Sequence, residues 1–173
     1  MNALPVAHEI RDSIDGKPDD CVTLTYDDRF LRRKCLQSDG GLAFLLDLPK
    51  VTSLNEGDIL CLSGGLTIKV RAAVEPLLEI RGHDLARIAW HIGNRHTPCQ
   101  IDPKRLLIQR DHVIRDMLEK IGADVREVEE PFVPEGGAYG HGRTHGHDHG
   151  HSHDHGHGHD HAHGHAHDHP HDP

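Results

Sequence analysis

Histidine is the residue type here with the most chemistry to offer: the chain has 20 in 173 residues, and fifteen of them lie beyond residue 140. Every odd position from 145 to 171 is occupied, giving His145, His147, His149, His151, His153, His155, His157, His159, His161, His163, His165, His167, His169 and His171, with His141 ahead of them. The intervening residues are mostly Gly, Asp and Ala. Neutral imidazole is a good ligand for Ni(II), Zn(II) and Cu(II), and alternate histidines on an extended chain bring two rings to one ion at little strain. At two to four imidazoles per ion, the segment would take up roughly four to seven divalent ions. An engineered purification tag is the bland alternative, but tags are usually contiguous histidines, and these are spread among other residues.

A second chemical position lies in the body of the chain, within Trp90-His91-Ile92-Gly93-Asn94-Arg95-His96-Thr97-Pro98. Leu85, Ile88, Ala89 and Ile92 fall at i, i+3, i+4 and i+7, one buried face of a helix. Gly93-Asn94 reads as the helix stop, because both residue types tolerate the left-handed turn that ends a helix. His96 then leaves the helix for a loop that Pro98 stiffens, since proline fixes its own φ and restrains Thr97. A stiff loop can present an imidazole, although spacing alone makes a lone loop histidine weak evidence for a ligand.

The same segment carries a resemblance. Seven consecutive residues from Trp90 to His96 match the Trp/Tyr-His-Leu/Ile-Gly-Asn-Arg-His run of the UreE family, urease accessory proteins that carry nickel to apo-urease. The likeness extends more loosely from Leu24 to about Phe132, and a histidine-rich C-terminus is frequent in the family. It implies that His96 lies at the interface of a homodimer, where two copies bind one ion, and that His112 matches a position implicated in accessory metal binding. Some relatives have another histidine two residues before that position. This chain has Arg110 there, a cation that would repel a metal.

His91 shares the helix with Asp84 and Arg87, and reads as a solvated side chain, with a second-ligand role as the alternative. Cys99, three residues after His96, reads as a buried thiol at the start of a strand. The alternative is a thiolate that joins the site and shifts it toward zinc or copper(I). Cys21, Cys35 and Cys61 are widely spaced and read as buried thiols, with no Cys-x-x-Cys to signal a disulfide framework or zinc ribbon. His83 reads as a residue before the helix cap and His8 as an ordinary strand residue.

The elements that must position these groups form an α+β chain in three parts. Residues 1–73 read as a small all-β domain: Val22, Leu24 and Tyr26 alternate with polar residues, as do Leu66, Ile68 and Val70, and Asp39-Gly40-Gly41 and Ser63-Gly64-Gly65 supply turns. The resemblance implies a peptide- or partner-binding role for this domain. The basic run Arg29, Arg32, Arg33 and Lys34 reads as a solvated strand edge, with a docking surface as the alternative. Residues 74–135 read as strand, helix, strand, strand, helix, strand, the βαββαβ order of a ferredoxin-like domain. Asp111 is the expected N-cap of the second helix, whose stripe is Val113, Ile114, Met117, Leu118 and Ile121, closed by Gly122. Residues 136–173 contain almost nothing able to form a core and are expected to be disordered without metal.

Composition narrows the function classes. The net charge is −9, with only one Trp, two Tyr and three Phe, which argues against nucleic-acid binding and favours cations and proteins as partners. Residues 1–6 lack the basic lead and apolar stretch of a secretory signal, and the longest apolar run, Leu42–Leu46, is far too short to span a membrane, so the expected location is cytoplasmic. There is no G-x-x-x-x-G-K-[ST], no H-E-x-x-H and no Ser/His/Asp pattern, so catalysis is not signalled. The resemblance implies a nickel metallochaperone, not an enzyme, working with the urease accessory GTPase and the apo-urease complex on Ni(II), with Zn(II) or Cu(II) as other candidates. Two rivals are a metal store acting mainly through the tail, and a folding factor whose β domain binds apo-urease.

Overall fold

The computed structural model describes residues 3–136; the expected disordered tail, with all fifteen histidines from His141 to His171, lies outside the described residues. The described part is α+β. It begins with β1 (Val6–Arg11), β2 (Asp20–Leu24), a single 3-10 turn (Asp27–Arg29), β3 (Phe30–Gln37), β4 (Ala43–Ser53), β5 (Ile59–Leu62) and β6 (Thr67–Ala72). There follow β7 (Val74–Arg81), α1 (Leu85–Gly93), β8 (Gln100–Asp102), β9 (Arg105–Gln109), α2 (His112–Lys120) and β10 (Asp124–Pro131).

The first six strands make one mixed sheet in the order β2-β6-β5-β1-β4-β3. Alternation along them sends Val22, Leu24, Phe44, Leu46, Ile68 and Val70 into one core. The β5–β6 pair is the expected hairpin, turning through Gly64 and Gly65, both at positive φ. Leu66 belongs to that turn and is exposed, so the inward alternation starts at Ile68. The free edge of β2 is capped by the β3–β4 turn: the Asp39 N–H donates to the Cys21 carbonyl, and its carboxylate accepts from the Thr23 N–H at 3.1 Å. A capped edge is poorly placed to recruit another chain.

The last four strands make an antiparallel sheet in the order β10-β7-β9-β8, with β7-α1-β8-β9-α2-β10 as the chain order, the βαββαβ sequence of elements. Both helices pack on one face, where Ile88 and Ile92 of α1 and Ile114 and Leu118 of α2 meet Leu78, Ile80, Leu106 and Ile108. Leu77 and Leu107 point to the opposite face and are covered by Tyr26 of the first unit together with Phe132. Being buried on both faces explains the unbroken apolar run Leu106-Leu107-Ile108 in β9 and the adjacent buried pair Leu77-Leu78 in β7.

Three sequence expectations change. Arg29 is no part of a solvated edge: it is 2% exposed, and its guanidinium donates to the Leu24 carbonyl at 3.2 Å and the Phe132 carbonyl at 2.6 Å. Arg32, Arg33 and Lys34 are exposed, as expected. Cys35 is exposed and Cys21 and Cys61 are half-buried, because all three lie on strand positions facing away from the core. Val113 is 55% exposed and stands outside the buried stripe of α2, and Ile121 lies at its exposed margin.

Candidate metal centre

α1 is set by its ends and by one face. The Asp84 carboxylate caps it, accepting from the Arg87 N–H at 3.0 Å, and Ile88 and Ile92 anchor it on the sheet. The last α-helical bond runs from the Asn94 N–H to the Trp90 carbonyl at 2.9 Å, and the chain then tightens through two turns, Arg95 N–H to Ile92 at 3.1 Å and His96 N–H to Gly93 at 2.9 Å. Gly93 is still helical and Asn94 has φ −64, so neither is the left-handed residue. That residue is His96, at φ +57, the only non-glycine with positive φ among the described residues. An L-residue in this conformation costs on the order of 1 kcal/mol.

His96 is exposed, at the C-terminal end of α1, where the aligned peptide dipoles favour a cation. Thr97, Pro98 and Cys99 then lead into β8, which β9 holds in register at Gln100 and Leu107. His91 is half-buried in the last turn of α1, its ring edge-on to Trp90 at 5.0 Å, and Trp90 itself is 63% exposed. This end of α1 thus presents an exposed indole, with the half-buried His91 ring against it and the exposed His96 on the loop that follows.

His112 occupies the other kind of helix end. It is the first residue of α2, exposed, in a shallow pocket with Leu78, Arg110, Asp111, Arg115 and Glu127. Asp111 is committed to the cap, accepting from the N–H groups of Val113 at 2.8 Å and Ile114 at 2.9 Å. Glu127 is committed to Arg110 at 3.4 Å and Arg115 at 3.2 Å. Glu127 is thus shared between two cations, Asp111 spends Oδ1 on the cap, and the helix N-terminus opposes an ion.

Cys99 is half-buried against the core of the second unit. Burial pushes its thiol up to about 12, with the negative charge of Glu135 adding to the rise. A thiol held protonated at neutral pH is a poor metal ligand. His83 is exposed ahead of α1, and His8 places Nδ1 2.9 Å from the Asp47 carbonyl on the first sheet. Among the described residues no three His, Cys, Asp or Glu side chains gather into a ligand set. His96 and His91 thus share one helix end, His112 stands apart, and the tail histidines lie outside the described residues.

Comparison with known proteins bears on this arrangement directly. Residues 2–73 match the N-terminal domain model of the UreE urease accessory protein and residues 75–159 match its C-terminal domain model. The chain belongs to the UreE family. The urease accessory protein UreE of a Ruegeria species (strain TM1040) is 65% identical over 130 residues, covering 75% of this chain and 74% of the relative. That of Ruegeria pomeroyi is 63% identical over 142 residues, covering 82% and 95%, and that of Paracoccus denitrificans is 54% identical over 141 residues, covering 82% and 90%. The C-terminal match contains the whole Trp90–Pro98 segment and runs on into the histidine-rich stretch as far as residue 159. No helix among the described residues is long and apolar enough to cross a membrane.

Two features escape a reading of the sequence: the backbone of His96 and the junction of the two units. A signal for the second exists in Leu106-Leu107-Ile108, three apolar residues in a row where a sheet with one open face would alternate. Arg29 has no such signal, since a lone arginine in a basic run reads as solvated until its partners are known.

Proposed function

We propose that this UreE-family protein is a cytoplasmic metallochaperone, not an enzyme, which carries Ni(II) as cargo to the assembling urease active site. The observation that carries the reading is His96: one exposed imidazole on a left-handed backbone, at a helix end that favours a cation. One imidazole cannot hold an ion tightly. Two, brought together by a homodimer through the face carrying Trp90 and His96, hold it well enough to capture and leave coordination positions for a recipient to complete. The recipient in this reading is the urease accessory GTPase with the apo-urease complex. Imidazole also accepts Zn(II) and Cu(II), so nickel follows from the family's role in urease maturation and not from ligand type.

The reading divides the chain into residues 1–73 for partner binding, 74–135 for the metal site, and 136–173 for gathering ions near it. Urease activity in cells across a series of nickel concentrations tests it. His96→Ala should abolish activation at every concentration, whereas replacing the fifteen tail histidines should matter only when nickel is scarce. Normal activation by His96→Ala, with failure of the tail variant at high nickel, would transfer the function to a metal store.

A further inference from the structure

β10 ends at Pro131, paired with Val74, on the edge of the second sheet farthest from β8. His96 lies beyond the other edge, on the loop that leads into β8 at Gln100. In the order β10-β7-β9-β8 the two edge strands are three spacings apart, or roughly 14 Å. Four residues of extended chain span about the same distance, and residues 132–135 make that crossing over the helix-free face.

The crossing is fastened along its length. The Phe132 ring is fully buried with Leu77, Leu107 and Tyr26, edge-on to the Tyr26 ring at 5.3 Å. Its carbonyl accepts from the Arg29 guanidinium at 2.6 Å, and that guanidinium also lies over the Tyr26 ring at 5.7 Å. The Val133 N–H then donates to the Gln100 side-chain oxygen at 2.9 Å, and the Glu135 N–H donates to the Cys99 carbonyl at 2.9 Å. The root of the tail therefore leaves the body beside Cys99, three residues from His96. His141 is six residues past Glu135, a covalent reach of at most about 22 Å.

We infer that Arg29, a residue of the N-terminal unit, is a positioning residue for metal transfer: by clamping Phe132 it roots the histidine-rich tail at the sheet edge that carries His96. This rests on the proposed division of labour between tail and His96. A root held near the site keeps the effective concentration of tail-bound ions high there, and a released root would start from the far edge, with a longer and looser tether. No ligand is lost when the clamp is loosened, so the effect is on delivery alone.

The test uses the full chain and nickel alone, at less than one ion per protomer. Trp90 is the single tryptophan and lies in the His96 segment, so quenching of its fluorescence by Ni(II) reports arrival there. Four proteins form a cycle: wild type, Arg29→Gln, a chain with all fifteen tail histidines changed to serine, and the combination. The tail should speed quenching by about tenfold, and Arg29→Gln should remove at least two thirds of that advantage while leaving the rate of the tail-serine chain unchanged. Arg29→Lys, which keeps a donor toward Phe132, should restore part of it. Gln100→Ala, which removes the Val133 anchor without touching a buried charge, supplies a second loosened clamp should Arg29→Gln fold poorly. An undiminished tail advantage in both loosened variants, or equal slowing with and without tail histidines, overturns the positioning role and leaves the functional reading standing. Equal rates for wild type and tail-serine chains overturn both.

Discussion

The two helices of the second unit each carry an exposed histidine at one end, and they differ in every respect that matters to a metal ion. His96 follows the C-terminus of α1, where carbonyl dipoles accumulate negative potential, and it is exposed with φ at +57. His112 opens α2 at its N-terminus, with positive potential behind it, Arg110 and Arg115 beside it, and the Glu127 carboxylate already paired with both arginines. The same side chain thus meets a field that favours a cation at one place and one that opposes it at the other. Residue type does not set this difference; the helix end and the charges beside it do.

The largest expected effect breaks the comparison most directly. His96→Ala should weaken the tightest nickel site of the tail-serine chain on the order of 100-fold, and His112→Ala should weaken it less than about threefold. Calorimetric titration of both variants checks this. Equal losses would mean that helix end and charge do not rank the two sites.

A gain-of-function experiment sharpens the same point. Replacing Arg110 and Arg115 by glutamine frees Glu127 and removes two cations from the His112 pocket. Weak nickel binding there should then rise by about thirtyfold in the His96→Ala background, since two repelling unit charges at surface distances are each worth on the order of 1 kcal/mol. No gain would leave the helix N-terminus as the sole obstacle.

Much of this comparison is legible in the amino-acid sequence. Periodicity locates both helices, Asp84 and Asp111 mark their starts, and Gly122 closes the second at φ +86. The run from Trp90 to His96 identifies the family. The left-handed residue is not legible, because Gly93 and Asn94 both have better local preference for it than His96. Tertiary packing overrides them: Ile92 must be buried for α1 to dock, so the helix continues through Gly93 and the turn falls three residues later. Nor is the clamp on Phe132 legible, since Arg29 and Phe132 are 103 residues apart and their bond depends on how the two units meet.

Cys99 gives the smallest effect and a check of a different kind. Its half-buried thiol, pushed up to about 12 by desolvation and then by Glu135, is protonated at neutral pH in the folded chain. In the unfolded chain a thiol titrates near its ordinary value of 9.0. A folded value above the unfolded one means that the neutral thiol's contribution is whole below about 9 and is lost as pH rises toward 12. Cys99→Ala should therefore flatten the alkaline fall of stability across that window, measured by urea unfolding at fixed pH steps. It should also leave nickel affinity at His96 within about twofold at pH 7, because a protonated thiol lends nothing to the ion. A larger fall in affinity on substitution would bring the thiolate into the site, and with it a shift of preference toward zinc and copper(I).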